Sequence, residues 1–553
     1  MMKKLFIKPA LILALIVPLN LSVFGNVKLP ALVGDNMVLQ RDTPINIWGW
    51  ADPDEKVNLQ FCGKQFTAIT DKDGKWTMVL SPLPAGGPYE MVIRGKNIIT
   101  IKNILIGDVW LASGQSNMEF ALKDANNSKQ EIEIANNSQI RLFTVKHKTA
   151  FQPLNDVDSK AWMVCSPDLV KDFSAIAYLF GRKLNEKYNV PIGLINSSWG
   201  GTPAESWTSS EGFKNLEFYK ESAMNISKIS NSDFEAFNKK RLDWTNQNDS
   251  GDRGFMANGK TWADTDLSTL DWATLQFPGF WTSVKETKGY GGTIWFRKEI
   301  NLPEATVGQP VQLHFSSIIM SDSTYFNGKL VGNGSGYGKE RVYAVPGNLV
   351  KQGRNVVTIR IKGAPGVGGA ILGASDKMFA LLGGSSFPLS GDWLYKTGPD
   401  ISSFPSLSGL DSYNAVMPNV PTIIYNGMIA PLVPFSIKGV IWYQGESNAD
   451  NMKEALQYDS LFPAMIQDWR KQWGYDFPFL FVQLAGYQPN EPEPTDYVWA
   501  HLREAQYKTL ALPNTGMAVA MILVMRKIFT LKINRRLHIV FFWLLRKLPI
   551  KKT

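Results

Sequence analysis

Three short strings gather hydroxyl, amide and carboxyl side chains around glycine. They are Gly114-Gln-Ser-Asn-Met-Glu119, Asn196-Ser-Ser-Trp-Gly-Gly-Thr-Pro-Ala-Glu205 and Trp442-Tyr-Gln-Gly-Glu-Ser-Asn448. In the first, a Gly-containing turn presents the hydroxyl of Ser116 just before a helical stretch. A hydroxyl so placed can attack an acyl carbon, and backbone N–H groups beside it can hold the oxyanion that forms. A Ser-Asn pair at such a turn is also an ordinary helix cap. Taken alone, this string reads better as a cap than as a catalytic turn. The other two strings shift the balance, because each supplies glycine for close backbone approach and amides that donate hydrogen bonds without charge.

Each string follows an apolar run of the kind that forms a buried strand. Val109-Trp-Leu-Ala112 precedes the first, Ile192-Gly-Leu-Ile195 the second and Val440-Ile-Trp-Tyr443 leads into the third. A helical stretch, Ala175–Lys187, lies between the first two runs, and Phe479-Leu-Phe-Val-Gln-Leu484 resumes the pattern later. Strands alternating with helices imply a parallel α/β sheet. Ligands bind at the carboxyl ends of such strands, so three loops on one sheet edge would form a polar pocket around Ser116.

The flanking segments read differently. Residues 26–104 hold short alternating runs such as Val57-Asn-Leu-Gln-Phe61 and Lys75-Trp-Thr-Met-Val-Leu80, separated by turn residues, and predict an N-terminal β-sandwich. Residues 275–380 are again β-rich, with an Asn327-Gly328 hairpin signal. The expected order is a signal peptide over 1–25, the β-sandwich over 26–104, an α/β domain over 105–274 and 381–520 interrupted by a β-domain over 275–380, and a basic tail over 521–553.

The 553 residues are 44% hydrophobic and 19% charged, a globular composition, with a formal charge of +9. That charge is not spread through the chain. Residues 521–553 hold nine Lys/Arg and no acid, and the first 25 hold Lys3, Lys4 and Lys8 and no acid. The body between them is neutral to slightly acidic, which removes the electrostatic support for nucleic-acid binding. Residues 1–25 combine these lysines with the apolar run Ala10–Val17 and read as a secretory signal. The run is shorter than the roughly 20 residues of a membrane span. The expected location is periplasmic or extracellular, with no membrane span once the signal is removed. Cys62 and Cys165 are expected as two buried free thiols, and no zinc spacing is present.

Gly114-Gln-Ser-Asn-Met118 with Gln444-Gly-Glu-Ser-Asn448 resembles the sialate O-acetylesterase family of the SGNH hydrolases, and Ser198-Trp-Gly-Gly-Thr-Pro-Ala-Glu205 is similar to that family's second block. The resemblance runs from about residue 26 to residue 520 with the three strings in order. It implies an α/β fold with an SGNH-type, flavodoxin-like parallel sheet, and the inserted segment resembles a galactose-binding-like domain. It implies that Ser116 is the nucleophile. The backbone N–H of Gly201 (or Gly200), the Asn448 side chain and the Ser116 N–H would be the oxyanion donors. Gln115 and Gln444 would line the pocket, and Glu446 would hold the third loop or serve only as a structural carboxylate. Such enzymes need no metal or organic cofactor and act on acetylated sialic acid or other acetylated glycans through an acyl-enzyme.

A serine nucleophile needs a base. The family carries it in an Asp-x-His-Pro-like string, expected after Gly516-Met-Ala-Val-Ala520, and that string is absent. Encoding Met521–Leu537 with freely chosen legal codons, and reading from the last base of the first codon, yields Asp-Ile-Gly-Asp-Ala-Lys-Asp-Ile-His-Pro-Lys-Asn-Lys-Gln-Glu-Val. We read the tail as a frameshift near Ala520. Of the remaining histidines, His501 sits in a helix-like segment where packing is the expected role, His147 in a loop, His314 in the inserted β-domain and His538 in the tail. The literal chain is therefore expected to be a nearly inactive carbohydrate O-acetylesterase. The alternatives are an acetyl-xylan or other sugar O-acetylesterase, and a sugar-binding pseudoenzyme.

Overall fold

The structure is a computed structural model, and it describes residues 26–249, 251–304, 307–336, 340–363, 368–400, 417–486 and 496–519. The signal and tail readings, and with them His538, lie outside the described residues. The chain divides into two compact units, residues 1–229 with 418–553, and residues 230–417.

The first unit is organised by one long strand, β1 (Ile98–Gly114). Its first half alternates exposed and buried residues, and from Ile104 onward every residue is buried. Alternation belongs to a sheet with one wet face, and continuous burial to a parallel sheet covered on both faces. The pairing follows this change. The first half of β1 pairs antiparallel with Gly86–Arg94, which continues to Lys56–Phe61 and Lys64–Ile69. The second half joins the parallel sheet.

That sheet contains β2 (Asn137–Thr144), β3 (Ile192–Ser198), β4 (Gly439–Tyr443), β5 (Phe479–Gln483) and β6 (Thr515–Val519), in the spatial order β6-β5-β4-β1-β3-β2. Beyond β2 the edge is closed by the antiparallel strand Met163–Cys165. With β2 set aside, the other five strands run 2-1-3-4-5, an order whose switch point lies between β1 and β4. Three helices cover the sheet: α1 (Ala175–Tyr188), α2 (Met452–Trp473) and α3 (Val498–Lys508). Ser174 caps α1 by accepting from the Ala177 N–H, and Asn451 caps α2 by accepting from the Glu454 N–H. The α2 face buries Tyr458, Phe462 and Trp469 against Trp442 and Phe479 of the sheet.

The second unit is β-rich. Gly292–Leu302 lies between Gly353–Lys362 and Gly391–Asp400, around a core that includes Trp281, Phe296, Phe315 and Trp393. This unit starts earlier and ends later than the expected 275–380, for two reasons. Trp262 and Trp272 pack with Trp295 and Tyr325 in a second aromatic cluster. The strand Gly391–Asp400 also pairs with both Ala273–Phe277 and Gly292–Leu302.

Both cysteines are free; Cys165 is buried as expected, whereas Cys62 is exposed. Burial pushes the Cys165 thiol up to about 11.

Candidate active site

The register of the parallel sheet brings the three strings to one level. Gly114 of β1 lies opposite Ser198 of β3 on one side and Tyr443 of β4 on the other. Each loop therefore leaves the same edge, and Ser116, Gly200 and Gly445 each stand two residues beyond it. Gly114 can only be glycine. Its φ is +134°, and a Cβ there would sit 2.1 Å from the Tyr443 carbonyl oxygen. That approach lets the Gln115 N–H donate to the Tyr443 carbonyl at 2.9 Å, which locks the turn before Ser116 onto β4.

Ser116 opens a single helical turn, Ser116–Glu119, and is half-buried. Its hydroxyl has no hydrogen-bond partner among the described residues, nor does its backbone N–H. Gln115 does not line an open pocket. Its Oε1 accepts the N–H groups of Gly445 (3.3 Å) and Ser447 (3.2 Å), so it stitches the first loop to the third.

Gly200 lies directly against Ser116: a Cβ there would be 3.4 Å from the Ser116 Cβ. Its N–H donates to Glu119 Oε2 at 2.7 Å. Gly201 has φ +74° with open space around it, and its N–H has no acceptor among the described residues. Of the two glycines that the resemblance leaves open as oxyanion donors, Gly200 is thus occupied and Gly201 is free.

Asn448 departs from the expected arrangement. It is fully buried, its Oδ1 accepts from the Ala204 N–H (2.8 Å) and Gln444 Nε2 (2.7 Å), and its Nδ2 donates to Glu205 Oε2 (2.8 Å). In this state its amide clamps the second loop to the third and is not presented to the space above Ser116. Gln444 is likewise buried, donating to the Thr202 carbonyl and accepting from the Tyr458 hydroxyl at 2.9 Å. Gln506 on α3 adds a further tie, donating to the Gln444 carbonyl at 3.1 Å.

Glu446 accepts from Asn117 Nδ2 at 2.7 Å through Oε1, which joins the third loop to the residue after Ser116. The residue as a whole is half-buried, but its Oε2 is buried without a partner among the described residues. Desolvation raises this carboxyl above the ordinary 4.5, offset in part by its backbone N–H and by Asn117. Desolvation also raises Glu205, against the opposing hydrogen bond from Asn448.

Sequence reasoning overlooked Glu205, Gln506 and Tyr458, which fasten the loops, and the pair Glu119–His147. His147 Nε2 lies 2.9 Å from Glu119 Oε1, and its ring stacks on Trp199 at 4.2 Å. The one available signal was position: Glu119 follows Ser116 by three residues, so both lie on one side of the same turn. His501 pairs with Asp496, and His314 stacks on Phe379 in the second unit. No group of three or more metal-binding side chains occurs among the described residues. No helix among them is long and apolar enough to cross a membrane.

This site stands on an α/β fold that resembles that of a solved carbohydrate acetylesterase. A carbohydrate acetylesterase from Xanthomonas citri superposes with a TM-score of 0.54 at 24% identity, covering 94% of this chain and 73% of that one, a likeness of fold. The model of the family described as carbohydrate esterase, sialic acid-specific acetylesterase, matches residues 106–237 and 397–528, which contain all three strings. The chain belongs to the sialate O-acetylesterase family. Among its relatives, the Sialate O-acetylesterase of Mus musculus is 23% identical over 92% of this chain and 70% of that protein. That of Homo sapiens is 33% identical over 38% of this chain and 44% of that protein, so this stronger match spans less than half of the relative.

Proposed function

We propose that this chain derives from a secreted carbohydrate esterase that removes O-acetyl groups from sialic acids, with Ser116 as nucleophile. The observation that carries the reading is the surroundings of Ser116. Its hydroxyl has no hydrogen-bond partner, Gly200 packs against it, and the backbone N–H groups of Ser116 and of Gly201, the residue after Gly200, lack acceptors among the described residues. The Ser116 N–H is half-buried and the Gly201 N–H is exposed, so both are available to an oxyanion.

In the reaction, Ser116 Oγ bonds to the acetyl carbon while its proton passes to a base. The tetrahedral oxyanion takes the two N–H groups. Collapse breaks the bond to the sugar oxygen, which receives the proton, and water then releases acetate from the acyl-serine by the same route. Gln115, Gln444, Asn448 and Glu446 act by fixing the loops that hold these groups. The chemistry calls for no metal or organic cofactor.

The base is the missing part. We assign it to the His-Pro string read in the alternate frame past Ala520, and therefore propose that the literal chain is impaired. The absence of any histidine hydrogen-bonded to Ser116 among the described residues also favours a second reading, a sugar-binding pseudoenzyme. Sequencing the gene across Ala520 tests the frameshift: a confirmed frame would remove it. Fluorophosphonate labelling of the chain as it stands, of a frame-restored chain and of Ser116→Ala separates the two functions. We expect no labelling in Ser116→Ala and labelling at Ser116 in both the chain as it stands and the frame-restored chain, with labelling and acetyl-ester hydrolysis each at least ~10³-fold faster after frame restoration. A frame-restored chain that is neither labelled nor active would favour the pseudoenzyme.

A further inference from the structure

We propose that Glu119 is a positioning residue for the oxyanion site, acting through a bridge that runs from His147 across the Glu119 carboxylate to the Gly200 N–H; this rests on the esterase reading above. One oxygen, Oε2, accepts from Gly200 at 2.7 Å, and the other, Oε1, lies 2.9 Å from His147 Nε2. His147 Nε2 also lies 3.1 Å from the Ser198 carbonyl. Both neighbours of Nε2 are acceptors, so that nitrogen carries the hydrogen and donates. It is not free to take a proton from Ser116. The imidazole is fixed in turn by its parallel stack on Trp199, with 4° between the planes.

The bridge joins the turn after β1, which carries Ser116, to the loop after β3. Glu119 leaves the same turn as Ser116, whereas Ser198, Trp199 and Gly200 follow β3. A Cβ on Gly200 would fall 3.2 Å from Glu119 Oε2 and 3.4 Å from the Ser116 Cβ, so the peptide is held close on both sides. Because Glu119 consumes the Gly200 N–H, the next peptide is the one left to receive an oxyanion. Gly201 reaches it through its left-handed φ of +74°. Glu119 thereby selects which of two adjacent N–H groups serves.

The same geometry separates this role from a structural one. The side chains of His147 and Glu119 are 40% and 38% exposed, so the bridge lies in solvent and adds little to folding. Its effect on the reaction is geometric, where a displacement of about 1 Å costs on the order of 10²-fold in rate.

The test is the rate at which a fluorophosphonate labels Ser116 in the full chain, measured alongside thermal melting. Glu119→Ala should label about 10- to 100-fold more slowly than wild type while melting within ~2 °C of it. Glu119→Gln retains an acceptor for Gly200 but turns its NH2 toward the His147 donor, and should label at a rate between those of wild type and Glu119→Ala. Should Glu119→Ala fail to fold, His147→Phe keeps the stack on Trp199 and removes the hydrogen bond, and it should slow labelling in the same direction. Wild-type rates in the folded Glu119→Ala chain, or in His147→Phe where that variant carries the test, would overturn the proposal alone. So would a Glu119→Gln chain as slow as Glu119→Ala. Absence of labelling in wild-type and frame-restored chains alike would overturn the esterase reading, and this proposal with it.

Discussion

The second unit and the loops around Ser116 both bury carboxylates, but they satisfy them by different means. In the second unit Asp322 takes Arg341 Nε at 3.0 Å and the Tyr343 hydroxyl at 2.7 Å, and Asp252 takes Arg360 Nε at 2.8 Å and the Trp295 indole. In the first unit Glu205 and Glu446 are met by the neutral amides of Asn448 and Asn117. A guanidinium balances a buried charge, whereas an amide only solvates it. The second unit has therefore committed its buried acids to structure. The acids around Ser116 are held without a countercharge, and the loops they fasten stay free of fixed positive charge.

The largest expected effect tests the committed side. Arg341→Leu leaves Asp322 buried without its cation, and the full chain should lose about 3–5 kcal/mol in denaturant unfolding of the second unit. A loss under about 1 kcal/mol would break the comparison, since the ion pair would then matter no more than an amide. A smaller effect is expected on the other side. Asn117→Ala removes the donor to Glu446 Oε1 and should cost about 1–2 kcal/mol, with the loss greatest at high pH, where ionisation of the carboxyl is most strongly opposed.

The smallest effect sharpens the comparison most. Burial raises Glu446 above 4.5, so between the unfolded and folded values the folded chain holds more protons than the unfolded one. Its contribution is fully present below the unfolded value and is lost as pH rises through the folded one. Glu446→Gln keeps an acceptor for Asn117 and removes the ionisation. The variant should differ from wild type by less than about 1 kcal/mol at pH 4 and show a flatter decline of stability above pH 4.5. An unchanged pH profile would mean that Glu446 is solvated well enough to ionise freely.

Much of this site was legible in local sequence. The strands β1, β3 and β4 announce themselves as uninterrupted apolar runs, and glycine with amides at their ends marks the loops. Ser116 and the glycines Gly200 and Gly201 follow from those positions. What local sequence cannot supply is where an amide points. Asn448 is read equally well as a donor to substrate or as a clamp. The choice is made by Glu205, 243 residues away along the chain. Glu119 and His147 were missed for the same reason, since nothing in either local string calls for the other. The extent of the second unit was also hidden: Trp262 and Trp272 lie in irregular segments without periodicity, and only their packing on Trp295 assigns them to it.

The Gln115 bonds to the third loop have a consequence in time. Gln115 and Gly445 are separated by 330 residues, and the whole second unit lies between them in the chain. A ribosome adds about 5–20 residues per second, so the turn of Ser116 waits on the order of 15–65 s for the loop that completes it. During synthesis Ser116 emerges early and acquires its pocket only near the end.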